Sequence, residues 1–314
     1  MARNLERCLD SAKNLLLYAD TGSLLGGLIL RDEAPYINPG MIYRYCALFL
    51  EMPVGVSWEI FHLKEDGSTG RSLRRTGHYM VEPGNYIILD QNTNPIQITV
   101  TSDLAPRRVR SGLTDTSRDR NNLQGYFRDG IRERDRSCTM TGKKPTSRNP
   151  SFSGLISAHI YPVARLADWN TQNFRRFLTD TSSESRIGQS GIYSLQNGLL
   201  LRADIHSNWD DWLIAVDPDE DFKVICFFED DEMLGGRRLQ ATAINASNAN
   251  HRISHDLLRW HLRMCVLKNM KGNAGVPEWE YELGPDDIGE IMAQEDAGER
   301  MEVELFSRLG PLIA

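Results

Sequence analysis

The chain has 314 residues, 40% hydrophobic and 25% charged, which is enough apolar content to bury a core without help from a metal or disulfides. Its formal net charge of −7 argues against a protein that coats nucleic acid through a uniformly basic surface. The five cysteines, Cys8, Cys46, Cys138, Cys226 and Cys265, are scattered and never form a CxxC pair, which excludes a structural zinc knuckle and a disulfide framework and fits a reducing interior.

The opening MARNLERCLDSAK lacks the apolar stretch of a signal peptide, and LLLYADTGSLLGGLIL is broken by Asp20 and too short to span a bilayer. The expectation is an intracellular protein, cytoplasmic or nuclear, with no membrane segment. A helix is predicted over 5–17. Beyond it, GGLIL, SWEIFHL, HYMVEPGNYIIL and IQITVTS read as strands, rich in β-branched and aromatic residues, with EDGSTG and EPGN as turns. His62 and His78 stand alone in this β-rich region and read as surface residues.

The middle of the chain is basic, with 12 Lys/Arg against 5 Asp/Glu over 107–148. Within it NNLQGYFRDGIRERDR spaces Leu123, Phe127 and Ile131 as one face of a helix. Residues 163–194 read as an insertion, a helix at DWNTQNFRRFL followed by the loop-like, mobile TDTSSESRIGQSG. An apolar strand ends near Leu201. A short helix capped by Asp204 and carrying His206, Trp209 and Asp210 follows, then a return strand from Trp212 to Val216 stopped by Pro218.

Residues 251–270 form an amphipathic helix with Leu257, Leu258, His261, Leu262, Cys265 and Val266 on one face, so His261 reads as a core histidine. His251 and His255 stand one turn apart but no third ligand accompanies them, so they carry no metal reading. The stretch 276–314 is acidic, 11 Asp/Glu against 2 Lys/Arg, and reads as part helix, part arm.

His159, in SAHIYP, is by itself as well explained by core packing as by chemistry. Three later residues change that balance. Asn197 precedes His206 by nine residues, room for a strand, a turn and the start of a helix. His206 and Asp210 are i, i+4, so one helix face presents both and they can share a cation. Antiparallel pairing of the strand ending at His159 with the strand after Asn197 sets His159 opposite that helix.

CTMTG, SAHIYP, NGLLL and IHSNWD, in that order, resemble the HNH or ββα-metal endonucleases. LYADTGSLLGGLIL, PGNYI and LLRWHLRMCVLKNM extend the likeness to the HNH-domain proteins of fungi. The resemblance implies an α+β fold with a ββα-metal HNH core at 138–230, flanked by a β-rich N-terminal domain (1–105), a basic helical linker (106–137) and a C-terminal helix with acidic tail (231–314). It implies His159 as the general base, Asn197 as the residue orienting it, and His206 with Asp210 as ligands of a divalent ion such as Mg, Mn, Ni or Zn, with DNA as substrate.

One position departs from the pattern. Ala158 stands where many HNH sites carry a further ligand directly before the base. That leaves two alternatives open: a repurposed scaffold using His159 on a small molecule, and a binding protein without catalysis. Arg202, Lys143, Lys144 and Arg165 are candidates for phosphate contacts. Trp209, Trp212 and Phe228 read as core aromatics.

Overall fold

The computed structural model describes residues 4–77, 79–106, 118–145 and 152–272. His78, part of the basic stretch and the whole acidic tail lie outside the described residues. The chain divides into two units, Met1–Ala274 and Gly275–Ala314, and every described element belongs to the first.

The N-terminal region is built on a five-stranded sheet. In chain order its strands are β1 (Leu15–Tyr18), β2 (Leu24–Leu28), β4 (Trp58–Leu63), β5 (Thr69–Ser72) and β6 (Gly84–Asp90), with α1 (Pro39–Cys46) and β3 (Leu50–Glu51) falling between β2 and β4. Their order across the sheet is β2-β1-β6-β4-β5, antiparallel throughout except for the parallel pair β1 and β6. β3 pairs separately with β7 (Thr99–Val100), the small remnant of the strand expected over IQITVTS.

The helix expected over 5–17 is absent. Its apolar residues Leu15 and Leu17 are fully buried on β1, where β2 and β6 flank the strand on either side. Sheet pairing outcompetes a helical pattern that Asp10 already interrupts, its carboxylate accepting from the Ala12 amide in a local turn. The region does hold a helix, α1, that was not among the elements expected from the sequence. The Asn38 side chain accepts from the Met41 amide, and proline occupies the first turn, where no donor is needed.

The second half runs α2 (Arg118–Asp135), β8 (Leu155–His159), α3 (Leu166–Thr171), α4 (Glu184–Ile187), β9 (Gly198–Arg202), α5 (Ala203–Asp210), β10 (Ile214–Asp217), β11 (Lys223–Cys226), α6 (Ala241–Ile244) and α7 (His255–Asn269). The insertion is shorter in helix than expected, because Asn173 turns left-handed (φ 53°) and ends the run of α3. The stretch after it is tied down. Ser194 donates to the buried Asp180 carboxylate at 2.5 Å, and Trp169 donates to the Ser190 carbonyl at 3.0 Å.

The hairpin β10–β11 is buried on both faces and divides two apolar cores. Ile214, Val216, Val224 and Cys226 face a core formed with α2, β8, β9 and α5. Ala215, Ile225 and Phe227, on the alternate face, pack with the N-terminal sheet and α1. The long helix α7 serves both: Leu257 and Leu258 enter the first core, while Leu262, Cys265 and Val266 enter the second. All five cysteines are free thiols. Among the described residues no helix is long and apolar enough to cross a membrane.

Candidate active site

Two strands and a helix frame His159. β8 and β9 pair antiparallel with Leu155 opposite Arg202 and His159 opposite Gly198, and α5 begins directly after β9. Leu155, Ser157 and His159 share one face by the two-residue period. That face is covered by α2: Ser157 donates its hydroxyl to the Arg128 carbonyl at 3.1 Å, and the Phe127 ring lies parallel to the His159 imidazole, centroids 3.8 Å apart and planes 7° from coincidence. Tyr193 meets the imidazole edge-on at 5.8 Å.

The imidazole is thus covered on two sides, although His159 keeps some exposure to solvent. Its Nε2 is buried and has no hydrogen-bond partner in the protein. Burial, with the nearby charge of His206 adding to it, pushes the His159 pKa down to about 3. The ring is thus neutral at ordinary pH, the state a proton acceptor needs, in a position where a strongly polar partner is missing.

Asn197 is fully buried and uses its whole amide. Its Oδ1 accepts from the Tyr161 amide at 2.8 Å, and its Nδ2 donates to the carbonyls of Tyr161 at 3.2 Å and Ile192 at 2.9 Å. Its backbone carbonyl accepts from Ile160 at 3.0 Å. The strand end carrying His159 is thereby fixed to the start of β9 and to the insertion. From the other side, the Trp209 indole on α5 donates to the His159 carbonyl at 3.1 Å.

On α5 the His206 and Asp210 side chains approach to 3.5 Å (Nε2 to Oδ2) and stay 24% and 30% exposed. One imidazole nitrogen and one carboxylate oxygen suit a borderline divalent ion, with water or phosphate oxygens completing its shell. The residue pair fits such an ion, but as two donors only. Among the described residues no group of three or more His, Cys, Asp or Glu side chains is placed to hold a metal. Ala158 supplies no third: it is 1% exposed and packs in the core opposite Leu199, where a charged side chain would be desolvated.

Several other expectations change on seeing the packing. Arg202 is held by the carboxylates of Asp204 and Glu232 rather than open to a phosphate, and Arg165 pairs with Asp168 at 2.6 Å. Lys143 and Lys144 are exposed. Asp204 is not the cap of α5; Arg202 occupies that position without a side-chain cap bond, and Asp204 lies in the first turn. His251 lies beside Asn248, and His255 meets Phe222 edge-on, so the two histidines have separate surroundings. His261 is a core residue, stacked on Trp209 at 3.6 Å.

Two features of the site are not visible in the sequence alone. Phe127 is legible there only as one apolar residue of a helix face. Its hidden partner signal is Gly198, because a Cβ there would lie 2.4 Å from Phe127 Cζ and 2.9 Å from Ile131 Cδ1. Arg134 and Asp135 look like linker charges, yet they form a buried pair at 2.6 Å. Arg134 also donates to the carbonyls of Leu195, Gly198 and His251, while Asp135 accepts from the Leu200 amide at 2.9 Å, so the pair holds β9 in place.

The decisive comparison concerns the segment holding all four candidate residues. Residues 138–217 match the family model of the HNH endonucleases. The matched segment spans about a quarter of the chain and contains His159, Asn197, His206 and Asp210. The match supports a nuclease-type function in general and an association with nucleic acid. α2, with Phe127 and Arg134, lies outside the matched residues. No curated protein and no solved structure matches the chain.

Proposed function

We propose that the HNH domain is a metal-dependent endonuclease that hydrolyses DNA phosphodiester bonds, in a protein of the kind found among fungal HNH-domain proteins and working inside the cell. The observation supporting this reading is a neutral His159 that feels the charge of His206, with His206 and Asp210 paired at 3.5 Å on the helix that follows the β8–β9 pair, all within the matched segment.

His159 takes the proton of the attacking water as its oxygen bonds to phosphorus and the bond to the leaving sugar oxygen breaks. Asn197 sets the strand end from which His159 projects. His206 and Asp210 hold the divalent ion, Mg, Mn, Ni or Zn. The chemistry such an ion supplies when bound is neutralisation of charge on the phosphate and the leaving oxygen. An anionic phosphate beside His159 also favours its protonated form, raising a proton affinity that burial has lowered.

The experiment is plasmid cleavage by the purified full chain with each of the four metals and with EDTA, beside His159→Ala and His206→Ala. Metal-dependent nicking lost in both variants is expected. Full cleavage by His159→Ala would remove the base assignment.

One observation favours a second reading. With Ala158 buried and only two donors on α5, the site has little to hold a metal. A scaffold turned to acid–base chemistry on a small molecule, or to binding alone, needs no such ion. Absence of cleavage with every metal selects this reading over the first.

A further inference from the structure

The catalytic histidine of the proposed nuclease is gripped by a residue outside the matched domain. We infer that Phe127 of α2 is a positioning residue for His159, fixing the plane of its imidazole and backing it with an aromatic face through the proton transfer. The inference rests on the nuclease reading for its kinetic part and on the stack itself for the rest.

Three observations carry it. The rings are parallel at 3.8 Å and 7°, an arrangement that a merely space-filling contact does not require. The terminal torsion of a histidine is otherwise broad, so a flat partner is an effective way to fix it. Gly198 stands opposite His159 in the hairpin, and any Cβ at that position would collide with Phe127 Cζ at 2.4 Å. The hairpin thus leaves open the space the phenyl ring occupies. Finally, Nε2 of His159 has no polar partner, so no hydrogen bond in the protein fixes the ring through that atom. Phe127 and the edge-on Tyr193 are the aromatic rings that meet it.

The stack serves both protonation states. A neutral imidazole over a phenyl ring gains ordinary aromatic contact. Once His159 has taken a proton, the imidazolium faces the negative π surface at cation–π distance. Leucine fills most of the same volume but offers neither a flat face nor a π surface. Tyrosine is not a neutral replacement, because its hydroxyl would extend beyond Cζ towards Gly198.

The test compares Phe127→Leu, Gly198→Ala and the double variant in the full chain, following kcat and KM for metal-dependent cleavage, thermal stability, and the ring-proton resonances of His159 in histidine-labelled protein. The resonances are assigned with His159→Gln. In the unaltered protein the stacked phenyl ring should shift those protons upfield. In Phe127→Leu they should return toward ordinary positions, with kcat falling about 10- to 100-fold and KM changing less than about twofold. In the double variant the new methyl occupies space vacated by the shorter leucine, so stability should recover while kcat and the resonances do not.

Recovery of kcat together with stability would overturn the inference, since Phe127 would then act by packing alone; so would a Phe127→Leu enzyme that cleaves at the unaltered rate. If the unaltered protein cleaves nothing with any metal, the nuclease reading fails separately. The resonances then decide the positioning: upfield in the unaltered protein and relaxed in Phe127→Leu supports it, ordinary positions in both overturn it.

Discussion

Asn197 grips the Tyr161 peptide group from both ends, its Oδ1 accepting from the Tyr161 amide at 2.8 Å and its Nδ2 donating to the Tyr161 carbonyl at 3.2 Å. Both residues are buried, so these bonds have no water to replace them. Asn197→Ala strands the Tyr161 amide and the Ile192 carbonyl, which should cost about 3 kcal/mol by the usual penalty for buried unsatisfied groups. Urea unfolding measures that loss. Asn197→Asp keeps the acceptor and loses the donors, and should fall between. If Asn197→Ala is as stable as the parent, the amide is not the clasp the geometry describes.

The buried pair Arg134–Asp135 should matter as much, although neither residue touches the candidate site. Arg134 donates to three backbone carbonyls besides Asp135, and Asp135 accepts from Leu200 on β9. Arg134→Met leaves a buried carboxylate without its countercharge and should cost roughly 3–5 kcal/mol. Replacing both, Arg134→Met with Asp135→Asn, removes the unpaired charge and should recover part of the loss. A double-mutant cycle by urea unfolding reads the coupling, and additive losses would show that the two side chains act separately.

Each feature was legible in the sequence to the extent that it is locally encoded. His206 and Asp210 sit one helical turn apart, so their 3.5 Å approach needed only α5 to form. The pairing of β8 with β9 was readable from two apolar runs, one ending at His159 and the other following Asn197. The expected helix over 5–17 failed because β1 is held between β2, which follows it as a local hairpin, and β6, which comes from far along the chain. Phe127 over His159, and Arg134 among the carbonyls of Leu195, Gly198 and His251, are likewise contacts across long sequence separations. No spacing rule reaches them. Arg202 shows the reverse error: its charge was visible, but not the Glu232 carboxylate from a later loop that neutralises it.

The two-donor character of His206 and Asp210 predicts weak metal binding with equal dependence on both side chains. Manganese titration followed by electron paramagnetic resonance should show binding to the unaltered chain that weakens about tenfold or more in His206→Ala and in Asp210→Ala alike. Ala158→Asp, the substitution that adds a carboxylate, should not tighten binding, because position 158 faces the apolar core beside Leu199 and the new charge would be buried there. Tighter manganese binding by Ala158→Asp would show that this strand face is open to the site after all.

Stability should fall with acid earlier than the carboxylates alone would cause. His159 and His261 both take their proton only near about 3 in the folded chain, chiefly because burial disfavours the charged ring, against 6.5 in the unfolded chain. Between those values the unfolded state binds more protons than the folded one, so the folded state is at full advantage above pH 6.5 and loses it as pH falls toward 3. Each histidine contributes a slope of up to about 1.4 kcal/mol per pH unit. Urea unfolding from pH 7 to 5.5 stays above the range in which unfolded carboxyls begin to take protons, so ion-paired carboxylates such as Asp219, held low by Arg259, add little to the slope there. Over that window the parent should lose stability steeply and His159→Gln less steeply, retaining the part due to His261 and to His62, whose burial also lowers its pKa. A flat profile in the parent would mean that burial does not disfavour the charged ring of either histidine, against the stacking of His159 on Phe127 and of His261 on Trp209.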